Sequence, residues 1–147
     1  MADELALSTL LLGAAGTLVE RIHAGTARRG FDDLRPTHGF VFVRLAPSGA
    51  TVTEIAEHLG VTKQAASQLV EELVGKGYVE RRPHPSDARA RLVVLTERGW
   101  ACTRAADAAA AEAVGAWVEV LGQDRITALV DDLRRVVGRG PLRPAVW

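Results

Sequence analysis

The sequence predicts a mainly α fold with a small β-hairpin wing, and three observations carry that prediction. Two short capped helices meet at a glycine turn between Thr51 and Gly77. Two β-prone runs, Tyr78 to Arg82 and Leu92 to Leu95, then flank a charged loop, and long helical patterns lie on both sides of the whole unit. Helix, turn, helix and hairpin in that order make a winged helix-turn-helix core, here flanked by N- and C-terminal dimerisation helices.

The first element is a helix through the apolar run Leu5 to Val19. Leu7, Leu11, Ala14, Leu18 and Ile22 follow helical spacing, while Leu5, Leu10 and Leu12 extend the apolar surface nearly all round. A helix apolar on every side needs cover on every side, and for so small a chain a second copy supplies it. The competing arrangement is a monomeric bundle wrapped on its own winged helix. A short helix follows from Pro36 to Leu45, with Pro36 and Thr37 at its start.

Thr51 and Glu54 have capping-box spacing, so the next helix begins near Val52. Ile55, Ala56 and Leu59 face inward, and Gly60 tolerates the left-handed conformation that ends the helix. Val61 is placed to plug the gap between two helices, and Thr62 caps a second helix from Lys63 to about Lys76, closed by Gly77. Ala66, Leu69, Val70 and Leu73 form its core stripe; Lys63, Gln64, Ser67, Gln68 and Glu71 form the outward one. Such a polar face has the donors and acceptors that base edges and phosphates require in a major groove.

The hairpin loop Pro83 to Arg91 adds charge beside that face. Between Lys76 and Arg91, five basic residues (Lys76, Arg81, Arg82, Arg89, Arg91) stand against Glu80 and Asp87, a local charge of +3 in a chain whose total is zero. A basic loop of this kind suits a phosphate backbone and an adjacent minor groove. Asp87 is expected to pair with Arg89 or Arg91 and hold one guanidinium in place. His84 lies in the same loop, within reach of a phosphate.

From Thr96 to about Leu121 a long helix carries Ala105, Ala106, Ala108 to Ala111, Ala113 and Ala116, small residues that permit close helix approach. A last helix from about Asp124 places Ile126, Leu129, Val130, Leu133, Val136 and Val137 on one stripe, opposite Asp131, Asp132, Arg134 and Arg135. Two prolines stop any helix in the tail, residues 139–147, whose last residue Trp147 is a candidate to lie across a partner. The expected division is one domain over 1–147: dimerisation helices in 1–35 and 96–138, and a winged helix in 36–95.

At 147 residues, 48% hydrophobic and 24% charged, the chain has material for one core and no second domain to host another activity. The apolar N-terminal run covers 15 residues, short of the roughly 20 that span a bilayer, and Asp3 and Glu4 precede it where a secretory signal carries positive charge. Cys102 is the one cysteine, which rules out an internal disulfide framework. A cytoplasmic protein without a membrane partner is therefore expected.

Leu59-Gly60-Val61-Thr62-Lys63, Gly77-Tyr78-Val79-Glu80-Arg81, Asp87-Ala88-Arg89-Ala90-Arg91 and Leu92 to Gly99 together resemble the MarR family of bacterial transcriptional regulators. The likeness is strong from Pro36 to Gly99, with the Asp-x-Arg-x-Arg wing its most specific part, and looser on the flanks. It implies a homodimer bound to double-stranded DNA at a pseudo-palindrome, with the helix from Lys63 as recognition helix and Arg89 or Arg91 as the wing residue in the minor groove. The DNA-binding set is then Thr62, Lys63, Gln64, Ser67, Gln68, Arg81, Arg82, Asp87, Arg89 and Arg91. The resemblance also implies a small-molecule effector in a crevice between the dimerisation helices and the winged helix. His23, His38, Phe42 and Trp100 are the candidates to line it; for Phe42 and Trp100 the competing role is core packing. His38, near a helix start, is a neutral imidazole that either bonds the effector or caps the turn.

The expected function is a ligand-responsive repressor. A redox switch at Cys102, whose neighbours Arg98 and Arg104 could lower its pKa, is the alternative within the family. In other classes stand a small helical enzyme and a protein-interaction module. Against the enzyme, His23, His38, His58 and His84 are scattered without metal-ligand spacing, and no phosphate loop or nucleophile elbow occurs, so no catalytic residue, metal or cofactor is assigned. His58 is expected on the surface. Against the module, the outward face of the Lys63 helix is polar.

Overall fold

The threonine caps set the order of elements in the computed structural model, which describes residues 2–138 and 142. α1 (Ala2–Arg28) leads to α2 (Pro36–Leu45), α3 (Val52–Leu59) and α4 (Lys63–Gly75); β1 (Val79–Pro83) and β2 (Arg91–Leu95) follow, then α5 (Glu97–Leu121) and α6 (Gln123–Val137). Thr51, Thr62 and Thr96 accept the amides of Glu54 (3.2 Å), Ala65 (3.1 Å) and Gly99 (3.2 Å). Gly60, at φ +66°, ends α3. The tail at 139–141 and 143–147, Trp147 included, lies outside the described residues.

The expected mainly α fold with a β-hairpin wing is present, with small shifts of boundary. β1 starts at Val79, one residue later than expected, because the Tyr78 amide is bonded to Leu73 O at the end of α4 and its carbonyl accepts from Thr96. Val79 pairs with Leu95 and Pro83 with Arg91 across the hairpin. A further rung joins Ala50 to Val93 through two backbone bonds, 3.0 and 2.8 Å, and so fastens the wing to the start of α3.

Ile55, Ala66, Val70, Leu73, Tyr78 and Val93 are fully buried among Val41, Leu45 and Leu59. Val61 differs from expectation. It stands exposed, because its amide turns back to Ala56 O and sets the side chain outward. His58 differs too: it is half-buried, with a backbone bond to Phe40 of α2 and with no hydrogen-bond partner for its Nε2 among the described residues.

The alanines of α5 do what small residues allow. Ala105, Ala109 and Ala113 are buried, and a Cβ at Gly25 of α1 would lie 2.6 Å from that of Ala109. α1 is longer than its 15-residue apolar run suggested. At 27 residues it rises about 40 Å, and Asp3–Arg28 is by length and composition alone sufficient to cross a membrane. That corrects the expectation that it is too short.

The loop between α1 and α2 grips the winged helix at two points. Asp33 accepts the Tyr78 hydroxyl (2.5 Å) and pairs with Arg98 (3.2 Å), and its carbonyl accepts Lys76 Nζ. The hydrogen bond from Tyr78 and the nearby cations hold the Asp33 carboxyl below its ordinary range, while burial and that carboxylate push the Tyr78 phenol up to about 12. At the second point, Arg35 pairs with Glu72 of α4 (2.5 Å), and His38 Nε2 meets the same Glu72 oxygen at 2.9 Å.

Two glycines make opposite predictions. A Cβ at Gly99 would sit 2.2 Å from the Tyr78 carbonyl oxygen, whereas one at Gly75 meets nothing within 4 Å. Gly75→Ala should raise stability by up to about 1 kcal/mol, the helix-propensity gain; Gly99→Ala should lower it by about 1–3 kcal/mol despite the same gain. Denaturant unfolding measures both, and an unharmed Gly99→Ala chain would contradict this packing.

The buried histidines set a pH dependence. Burial lowers the His38 pKa, against the opposing pull of its bond to Glu72, and burial with nearby Arg44 lowers that of His58. Both are therefore neutral when folded and take up protons on unfolding below about pH 6.5. Stability should be full above that pH and decline as pH falls through it. The urea midpoint should be lower at about pH 5.5 than at about 7.5, with a smaller drop in His38→Gln; an unchanged or higher midpoint at low pH would overturn the assignment.

Candidate nucleic-acid interface and the cavity behind it

α4 presents its two faces as its sequence periodicity dictates. Ala66, Leu69, Val70 and Leu73 are buried, and Lys63, Gln64 and Gln68 are exposed, with Ser67 half-buried between them. Thr62 is spent on the cap. Lys63 makes no ion pair among the described residues, so its ammonium is free for an external anion.

The wing's five arginine and aspartate candidates divide by partner. Arg81 pairs with Glu71 of α4 at 2.7 Å, and Arg82 pairs with Glu80 on the same strand. Both guanidiniums thus brace the wing, Arg81 against α4 itself. Arg89 and Arg91 are exposed and make no ion pair among the described residues. Asp87 corrects the expectation that it would hold one of them: its Oδ1 accepts the Arg89 backbone amide at 2.9 Å, the local turn that short acidic side chains favour, and it forms an ion pair with neither guanidinium. His84 Nδ1 accepts the Ser86 amide (3.2 Å), a second bond internal to the loop.

Behind this surface, α1, α2, α5 and the loop between α1 and α2 line a partly open cavity of about 220 Å³. Leu18, Ile22, Phe31, Leu34, Phe42 and Ala106 make its wall apolar. A smaller apolar cavity, about 150 Å³, is enough to hold benzene. Of the four effector candidates, His23 and Phe42 line the space. Phe42 is also core, its ring 5.7 Å from that of Tyr78.

The other two do not. Trp100 lies roughly 200° around α5 from Cys102, and it borders a separate depression with Pro47, Arg82 and Arg104. His38 has both ring nitrogens engaged: Nδ1 accepts the Arg35 amide at 2.9 Å, which leaves the proton on Nε2 to be donated to Glu72. It caps the turn, the second of its two expected roles.

Cys102 lines the cavity at 1% exposure, and burial pushes its thiol up to about 11. Burial prevails over the opposing pull of Arg98, so the lowered thiol that the redox alternative requires is not found. A thiol so protonated is a poor nucleophile.

Asp33, Arg35 and Glu72 were not singled out from the sequence, and Arg98 only as a neighbour of Cys102. Their side-chain partners lie 20 to 65 positions away, so no local spacing signals them; Arg35 to Glu72 is 37 positions.

Residues 32–90 match the model of the MarR family. The transcriptional regulator PetP of Rhodobacter capsulatus is 41% identical over 58 residues, 40% of this chain and 34% of PetP, so the match covers about a third of that protein. Among solved structures, Sco3205 of Streptomyces coelicolor, a MarR family regulator in complex with DNA, superposes with a TM-score of 0.70 at 25% identity, over 93% of this chain and 90% of its own. The repressor CouR bound to a 23-mer DNA duplex gives 0.68 at 27% identity, over 93% and 92%. CouR of Rhodococcus jostii RHA1 bound to p-coumaroyl-CoA gives 0.72 at 24%, over 90% and 92%. Motif order and fold agree with these likenesses: over residues 32–90 the chain is similar to the MarR family, and its fold is that of solved MarR family regulators.

Proposed function

We propose that this chain is a non-enzymatic, cytoplasmic, ligand-responsive repressor that binds a pseudo-palindromic operator as a homodimer. The observation that carries the proposal is the pairing of two unpartnered groups of side chains: the polar face of α4 at Lys63, Gln64, Ser67 and Gln68, and the wing arginines Arg89 and Arg91. The α4 face offers donors and acceptors to base edges, and the wing offers guanidiniums to the minor groove. Arg81 and Arg82 serve by holding the wing, and Asp87 by shaping its loop. That Sco3205 and CouR are in complex with DNA supports DNA as the partner.

Homodimerisation follows from what one chain leaves uncovered. Leu5, Leu10 and Leu12 of α1 are 72%, 70% and 56% exposed, and Val136 and Val137 of α6 are 78% and 67% exposed. These faces lie on residues 1–35 and 96–138, apart from the winged helix at 36–95. A second copy buries them reciprocally and brings two α4 helices about 34–36 Å apart, one turn of DNA. The cavity beside His23 and Phe42 is the proposed effector site, and its apolar wall calls for a largely apolar ligand. CouR, with its bound p-coumaroyl-CoA, supports an effector in this family. The buried, protonated Cys102 favours a ligand over oxidation as the signal.

Binding to an operator selected from a random duplex pool tests the DNA reading. Arg89→Ala and Arg91→Ala should each weaken binding, at least one by about 1–3 kcal/mol, and Lys63→Ala should flatten the salt dependence. Unaltered affinity in both arginine variants would sink the wing assignment. In light scattering the native chain should weigh twice its 15.7 kDa, and Leu10→Glu should shift it toward one chain with loss of DNA affinity. A native chain that stays monomeric while binding tightly would reject the dimer.

A further inference from the structure

Arg35 stands on two surfaces at once. It lines the apolar cavity together with Phe31 and Leu34, and its guanidinium holds Glu72 of α4 at 2.5 Å. The same Glu72 oxygen takes the Nε2 proton of His38, which is buried to 1% exposure and whose Nδ1 accepts the Arg35 amide. The three residues form a closed circuit: Arg35 amide to His38, His38 to Glu72, Glu72 to the Arg35 side chain. A displacement of Arg35 therefore cannot leave Glu72 where it is without breaking charge-assisted bonds.

Glu72 sits one helical turn after Gln68, and both border the groove between α4 and Arg35. A rotation of α4 imposed at Glu72 carries Gln68, and with it the outward face, in the same sense. We propose that Glu72, clamped by Arg35 and His38, is the positioning residue through which the cavity acts on the recognition helix. This rests on the proposed reading that the cavity takes an effector and α4 takes DNA. When the cavity is filled, the loop that carries Phe31, Leu34 and Arg35 moves outward, the clamp follows, and the pose of α4 changes. A ligand bound preferentially to the displaced loop thereby favours one pose over the other.

A substitution can stand in for the ligand. Ala106→Leu, on the α5 wall of the cavity, adds apolar volume inside it, with Ala106→Val as a smaller filling if the leucine does not fold. Each is combined with Glu72→Gln and, separately, with Arg35→Gln, and operator affinity is measured for every member of the two cycles. The filling should weaken binding at least fivefold in the native background, the lower end of ordinary allosteric couplings, and by less than about twofold once either clamp residue is changed. An equal effect in all backgrounds, or none in the native one, overturns the proposal. Hydrogen exchange of the 63–75 amides gives the same cycles without DNA. A chain that binds no DNA refutes the functional reading, and the exchange cycles still decide the clamp: protection in α4 must respond to the filling only while Glu72 and Arg35 are both present.

Discussion

Tyr78 joins four parts of this molecule. Its amide closes α4, its carbonyl accepts Thr96 and leaves room only for a glycine at position 99, and its ring packs against Phe31 and Phe42 in the core. A buried phenol needs a partner for its hydroxyl. Asp33 supplies it at 2.5 Å, and Arg98, lying 4.5 Å above the ring, adds a hydrogen bond of 3.1 Å. The end of α4, the start of the wing, the loop from α1 and the start of α5 are thus tied to one residue. The relative placement of α4 and the cavity depends on that junction.

Charge is arranged around the same frame. A chain of zero net charge approaches a polyanion by concentrating its unpaired cations, and intramolecular pairing decides which cations those are. Glu71 and Glu80 neutralise Arg81 and Arg82 and turn them into braces, while Arg89 and Arg91 are exposed and their guanidiniums make no ion pair among the described residues. The wing is therefore stiff at its base and cationic at its tip. Stiffness lowers the entropy lost when the tip is immobilised on a ligand.

The apolar excess has a different distribution. α4 and the hairpin complete a core within one chain, whereas α1 and α6 leave leucines and valines in solvent. A single winged helix has no need of them. These faces lie apart from the polar face of α4 and the wing, so the proposed pairing and the proposed DNA contact would fall on different parts of the chain, with the cavity beside α1 and α5. A change at the cavity wall is consequently placed to alter how the two regions sit together.

The elements were legible in the sequence because their signals are local: Thr51, Thr62 and Thr96 as caps, Gly60 as the left-handed stop, the stripe Ala66, Leu69, Val70 and Leu73, and the turn residues of the wing all act within a few positions. The polar face of α4 followed from the same periodicity. Partnership was not legible, since it depends on which charges packing brings together. The tertiary structure alone bound Arg81 to Glu71, turned Trp100 away from the cavity, brought Glu72 to His38 Nε2 and set Arg35 between the cavity and Glu72. Periodicity says which side of a helix is buried; only the packing of helices far apart in sequence says what lies against it.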